Sequence, residues 1–295
     1  MTVCRQRLAP RCSVYPELLY QELPLMPKPP PPVTDNPWQT LRRFTAARIA
    51  LGRAGVSLPT APQLAFQLAH AQARDAVHLA LDVEQLRQEL TSAGISGAQD
   101  CLVLDSAAPD RLTYLQRPDL GRRLSPASRE ALDDGDETRR YDLALVIADG
   151  LSSLAIARNA APFLAALQAR MAPRQWTLAP LSIVRQARVA IGDEVGSLLH
   201  AKLVVVLIGE RPGLSSPDSM GLYLTWMPTV GMNDAQRNCI SNVRMQGMSY
   251  ADAAAKLDYL LVEAQRRTLT GVALKDESSA ADDQTALPQR NFLLD

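Results

Sequence analysis

Residues 141–152 read YDLALVIADGLS, an almost unbroken apolar run from Tyr141 to Ala148 that stops at Asp149-Gly150. A continuous apolar run, rather than an alternation, is what a parallel strand covered on both faces requires. Ser152 then opens an amphipathic stretch to Met171, which reads as a serine-capped helix. A second run, Lys202 to Gly209, has the same strand character and ends in Glu210-Arg211-Pro212-Gly213. Between them Thr177 to Val184 reads as a strand and Asp193 to Ala201 as a short helix. Beyond them Met220 to Trp226 reads as a further strand, and Tyr250 to Arg267 as a closing helix with Ala253, Leu257, Leu260, Leu261 and Ala264 on one face. Strand–helix units repeated at this size predict an α/β fold: a right-handed, Rossmann-like, doubly wound, mostly parallel sheet.

Moving toward the amino terminus, CLVLDS from Cys101 and RLTYLQ from Arg111 read as short strands, followed by the basic turn Arg117 to Arg123. Before them the chain is helical in pattern. Thr34 and Asp35 are good N-caps, and Trp38, Leu41, Thr45 and Ile49 recur at helical spacing until Gly52 and Gly55. Ala61 to Leu81 is Ala- and Leu-rich, and Val83, Leu86 and Leu90 share a face before Gly94 closes the segment. The predicted domains are a linker-like tail over 1–33, a smaller helical domain over 34–100, a Rossmann-like domain over 101–275 and a polar tail over 276–295. Pro29 to Pro32 remove backbone donors and favour an extended linker. Met26, just before it, is an alternative start codon, excluded if the native protein begins at Met1; the rival reading of the segment is a short targeting tail.

Lys+Arg and Asp+Glu both total 31 in 295 residues, so no net field draws the chain onto nucleic acid or an anionic membrane. The apolar runs are far shorter than the ~20 residues that span a bilayer. Cys4, Cys12, Cys101 and Cys239 form no CxxC pair, which predicts free thiols in a reducing cytosol. Small-molecule or protein partners are the expectation.

In an open α/β sheet the ligand crevice lies beyond the carboxyl ends of the strands. The loops to read are therefore Asp149 to Ser152, Arg185 to Gly192 and Gly209 to Gly213. Their glycines and polar groups suit either a ligand approaching the backbone or ordinary turns. No GxGxxG, GxxxxGK[ST] or GxSxG string is present, so nicotinamide, P-loop and hydrolase readings lose their main support. His70, His78 and His200 sit in no metal-binding spacing and read as surface or packing residues, with no metal site predicted. Asp149 reads as a loop-bracing carboxylate, Glu210 and Arg211 as solvated charges, and Cys239 as a small hydrophobe without a catalytic partner. No self-sufficient catalytic constellation emerges from the residues.

The strings LRRFTAARIALGRAG (41–55), RPDLGRRLS (117–125), IADGLSS (147–153), LIGERPGL (207–214) and CISNVR (239–244) resemble, in order, the ethanolamine ammonia-lyase small subunit family. The resemblance spans about Asn36 to Gly271. It implies a carbon–nitrogen lyase subunit that acts with adenosylcobalamin on ethanolamine, giving acetaldehyde and ammonia, in a hetero-oligomer whose large, barrel-type subunit carries most of the catalytic groups. On that resemblance the cobalamin contacts fall on Val189, Glu210 and Cys239, with no catalytic residue in this chain. Corrin side chains end in amides, whose hydrogen bonds a carboxylate accepts, while Val and Cys suit the apolar rim.

None of the histidines sits in Asp-x-His-x-x-Gly, so the cofactor is expected base-on, keeping its own dimethylbenzimidazole on cobalt. Encapsulated members carry an amphipathic amino-terminal helix. Pro10, Pro16 and Pro24 interrupt such a face here, so a cytoplasmic location is expected, either in the free cytosol or inside a bacterial microcompartment for ethanolamine degradation. Two other readings remain: a stand-alone Rossmann-like nucleotide-binding enzyme, and a non-catalytic assembly factor.

Overall fold

The computed structural model describes residues 33–133 and 138–278. The predicted tail before Val33 and most of the polar tail after residue 275 lie outside the described residues. The chain divides into two compact units, Met1–Pro59 and Thr60–Asp295.

The described part of the first unit is short. A 3-10 helix, Pro37–Arg43, starts with proline where a missing N–H costs nothing, and the Asn36 side chain accepts from Trp38 N at 3.0 Å. Thr34 and Arg53 exchange backbone hydrogen bonds of 2.8 and 3.0 Å. Gly52 closes this bridge at φ +76°, where a Cβ would lie 2.8 Å from the Thr34 carbonyl oxygen. The helix predicted to run on to Ile49 stops at Arg43. Trp38, Leu41 and Ile49 are all exposed, and helical periodicity forms a lasting helix only where packing covers its apolar face.

The second unit is built on a six-stranded, mostly parallel sheet with order β1-β3-β2-β4-β5-β6. Its strands are β1 (Leu102–Asp105), β2 (Tyr141–Ala148), β3 (Ser182–Arg185), β4 (Ala201–Gly209), β5 (Met220–Trp226) and β6 (Arg237–Val243). β1, β3, β2 and β4 pair in parallel, whereas β5 runs antiparallel to β4, and β6 antiparallel to β5. The helices are α1 (Thr60–His78), α2 (Val83–Ser92), α3 (Arg111–Gln116), α4 (Pro126–Leu132), α5 (Ser153–Met171), α6 (Ile191–Leu198) and α7 (Tyr250–Arg267).

The central strands explain the uniform apolar runs. Leu143 and Ile147 of β2, with Leu203, Val205 and Leu207 of β4, bury into a core shared with α2, α5 and α7. Ala144, Val146 and Ala148, with Val204, Val206 and Ile208, bury on the opposite face against α4 and α6. Both faces of β2 and β4 are thus dry, so the period-2 alternation disappears from the sequence.

Two local expectations change. RLTYLQ is helix α3: Asp110 accepts from Thr113 N at 2.8 Å, and this cap organises a first turn that a six-residue alternation cannot distinguish from a strand. The strand expected from Thr177 begins at Ser182, with a single bridge at Leu143–Leu178 before it, because Pro180 brings no N–H to a ladder. The predicted Met220 to Trp226 strand and Tyr250 to Arg267 helix form with those bounds.

Candidate functional site

The ends of β2 and β4 meet through two glycines. Gly150 (φ +61°) would place a Cβ 2.2 Å from the Gly209 oxygen, and a Cβ on Gly209 would lie 2.0 Å from the Ser152 oxygen. Leu151 N donates to the Gly209 oxygen at 2.9 Å. The close approach that these glycines permit is made by the chain's own backbone. Asp149, 2% exposed, accepts from Gln186 N at 2.9 Å and Ala187 N at 3.0 Å, with Arg111 Nη1 at 3.4 Å. It ties the end of β2 to the loop after β3 and is a brace, as its place in the sequence suggests. Burial pushes its carboxyl up in pKa, against the pull of those N–H donors and Arg111.

Glu210 follows directly on Gly209. Its Oε2 accepts from the Ser219 hydroxyl at 2.5 Å and from Asn242 N at 3.4 Å, while its Oε1 takes no hydrogen bond among the described residues. Glu210 Oε1 and the Tyr223 ring both crowd Gly221, at 2.9 and 3.3 Å from the position of a Cβ there. Tyr223 is opposite Cys239 across the β5–β6 ladder. Burial, then the Cys239 thiol and the Glu210 charge, hold the Tyr223 phenol well above its ordinary pKa. Cys239 is exposed and lies 3.4 Å from Ser241 Oγ. The structure therefore brings Glu210, Tyr223 and Cys239 together on one strip of β5–β6.

Val189 sits elsewhere on this side of the sheet. It is partly buried against the core of the α6 face, as Tyr223 is, and lines a cleft of about 530 Å³ with Pro118, Arg122, Arg123, Arg188 and the Val230–Asp234 loop. Glu210 and Cys239 do not line that cleft. His200 precedes β4, at the opposite end from Glu210, and His70 and His78 are exposed on α1. Among the described residues no group of three or more His, Cys, Asp or Glu is placed to hold a metal, and no helix is long and apolar enough to cross a membrane.

Sequence reasoning missed Tyr223. Its signal was the alternation Leu222-Tyr223-Leu224-Thr225, with the leucines in the core and the polar pair on the other face.

The profile described as Ethanolamine ammonia-lyase light chain (EutC) matches residues 35–275. The chain belongs to the ethanolamine ammonia-lyase light-chain family. Among its relatives, the ethanolamine ammonia-lyase small subunit of Azotobacter vinelandii is 59% identical over 266 residues, covering 89% of this chain and 97% of the relative. The small subunit of Ralstonia nicotianae is 56% identical over 270 residues, covering 90% and 97%. That of Pseudomonas syringae pv. tomato is 56% identical over 269 residues, covering 88% and 92%. Family membership makes the chain an ammonia-lyase subunit.

Proposed function

We propose that this chain is the small subunit of an adenosylcobalamin-dependent ethanolamine ammonia-lyase, active only with a large catalytic subunit and holding cobalamin at their interface. The carrying observation is the strip on β5–β6: a carboxylate with an unused oxygen, an aromatic ring and an exposed thiol side by side at the carboxyl edge of β4. These groups fit a corrin. Glu210 Oε1 is available to accept an amide N–H from the ring's side chains, and Cys239 and Val189 offer apolar contact to its rim. When bound, the cofactor supplies radical chemistry through homolysis of its cobalt–carbon bond. This chain binds, orients and shields. Among the described residues the buried carboxylates Asp149, Asp193, Glu194 and Asp258 are all engaged by backbone N–H groups or arginines, so none of them stands ready to move a proton.

The base-on form is supported by the histidines, none of which sits in Asp-x-His-x-x-Gly, and by the place of His200 at the far end of β4 from Glu210. We place the assembly in the cytosol, with a microcompartment as the alternative location. A six-stranded sheet with helices on both faces supports a Rossmann-like reading of the fold.

The test is ammonia release from ethanolamine and adenosylcobalamin by this chain, by the large subunit, and by both mixed. Activity only in the mixture is expected. Turnover by this chain alone would establish a stand-alone enzyme instead. Unchanged cobalamin affinity on Glu210→Ala and Val189→Ala in the mixture would reduce the chain to an assembly factor.

A further inference from the structure

The cleft beside Val189 gathers arginines without matching acids. Most of its neighbouring arginines are matched: Arg117 with Asp119, Arg129 with Glu194, Arg185 with Asp105, Arg111 with Asp149, and Arg237 with Asp193. Arg122, Arg123 and Arg188 all line the cleft, and among the described residues none of them has a carboxylate within ion-pair distance. The only acid on the lining is Asp234, which is 95% exposed and faces Arg237 at 3.6 Å. In a chain of zero formal net charge, three unmatched guanidinium groups in one concavity is a local excess.

Arg188 is also held in place. Its backbone N–H donates to the Gly121 oxygen at 2.7 Å, its guanidinium stacks 4.3 Å from the Tyr114 ring centroid, and Nη2 donates to the Tyr114 oxygen at 3.2 Å. Gly121 makes this possible, because a Cβ there would lie 2.9 Å from Arg188 Cγ. Its Nε is buried without a partner. A fixed guanidinium flanked by two exposed ones suits a small oxyanion, which accepts several charge-assisted hydrogen bonds at once.

We infer that this cleft binds a phosphate group, and that the phosphate is the phosphodiester in the nucleotide loop of cobalamin. The inference rests on the proposed cofactor role, since Val189 lines the same cleft. The cofactor would thus be held at two places, its corrin amides by the Glu210 strip and its single backbone anion by the arginines.

The experiment uses the assembled complex with the large subunit and two corrinoids, cyanocobalamin and dicyanocobinamide, which lacks the nucleotide loop. Arg122→Gln/Arg123→Gln removes two exposed charges without touching the core. Equilibrium dialysis should show cyanocobalamin affinity falling ~10-fold or more, the loss expected of a charge-assisted hydrogen bond, with dicyanocobinamide within about twofold of wild type. Arg188→Lys, which keeps charge but loses the fork, should show the same discrimination. Equal weakening of both corrinoids, or of neither, overturns the cleft assignment while leaving the subunit reading intact. Failure of the wild-type complex to bind cyanocobalamin overturns both. Loss of assembly in the double variant, seen by sedimentation, would give the cleft to an acidic segment of the large subunit instead. Inorganic phosphate whose 31P line broadens with the complex, but is not released by cyanocobalamin, would show a phosphate site unrelated to the cofactor and overturn the inference.

Discussion

Replacing Gly209 by alanine tests the crossing that aims Glu210. The new Cβ would meet the Ser152 oxygen at 2.0 Å and the Asp149 oxygen at 2.6 Å. A tolerable carbon–oxygen contact is about 3.3 Å, so the ends of β2 and β4 must part by more than ~1 Å. That movement stretches the Leu151 N to Gly209 O bond and tilts the chain into Glu210. Overpacking of this kind costs about 1–3 kcal/mol and the weakened hydrogen bond about 1 kcal/mol more, for roughly 2–4 kcal/mol in total. At about 2–4 °C per kcal/mol for a unit of this size, thermal unfolding should shift down by roughly 5–15 °C. Gly94→Ala is the control. Gly94, unlike Gly209, has a left-handed backbone angle, φ +70°, and nothing lies within 4 Å of its Cβ position. It should cost only the left-handed penalty of about 1–2 kcal/mol. A Gly209→Ala protein within about 0.5 kcal/mol of wild type, in calorimetry and in urea, would refute the crossing.

Asp193→Ala should destabilise by about 3–5 kcal/mol, because it leaves the Arg237 guanidinium, 2% exposed, buried without its carboxylate; in urea unfolding, Asp193→Leu/Arg237→Met should recover most of that loss, and a cost under ~1 kcal/mol for the single change would contradict it. The Asp110 carboxyl, which caps α3, is held below its ordinary pKa by the N–H and hydroxyl of Thr113. A depressed acid contributes stability above its unfolded pKa and loses it as pH falls through the folded one, so NMR titration should show Asp110 ionising below the usual carboxylate range and Asp110→Ala should abolish that acid-side loss. Burial pushes the Cys101 thiol up in pKa, and Cys239 is exposed, so iodoacetamide with peptide mapping should label Cys239 before Cys101, and Cys101 only on unfolding. In the assembled complex, cobalamin should protect Cys239 from that labelling; undiminished labelling would remove it from the contact surface.

The parts of the fold legible in the sequence are those where burial alone decides. β2, β4 and α7 could be read because long apolar or periodic runs admit one interpretation once both faces are packed. α3 could not, since six residues satisfy either period and the deciding contact is the Asp110 cap. The helix expected through Ile49 misled for the opposite reason: its spacing was right but no packing covers it. At the candidate site, the loops after β2, β3 and β4 were singled out by the rule that ligands gather at strand ends. The glycines in them were ambiguous, because a residue that lets a ligand approach and one that lets another strand approach leave the same letter in the sequence. The charge excess around Arg188 was hidden for a further reason. Arginine-rich text such as Arg117 to Arg123 gives no sign of which guanidinium finds a carboxylate, and only the folded chain sorts the matched from the unmatched.

The open strip has its origin in the change of strand direction after β4. Parallel neighbours need a crossover, and α5 and α6 are the crossovers that cover β2, β3 and β4 on opposite faces. β5 and β6 join antiparallel, so no crossover helix is laid over their second face. α7 packs on one side, burying Leu222, Leu224 and Ile240. On the other, α6 reaches only as far as the Asp193–Arg237 pair, which seals Thr225 and Arg237, and the sheet beyond it is left with Tyr223 half-buried and Cys239 and Ser241 exposed. A monomeric enzyme would pave such a strip or place catalytic groups on it. Here it carries an unused carboxylate oxygen, a ring and a thiol, next to a cleft with unmatched positive charge. On the proposed reading, that arrangement is completed by a large amide- and phosphate-bearing ligand and by the protein on its far side.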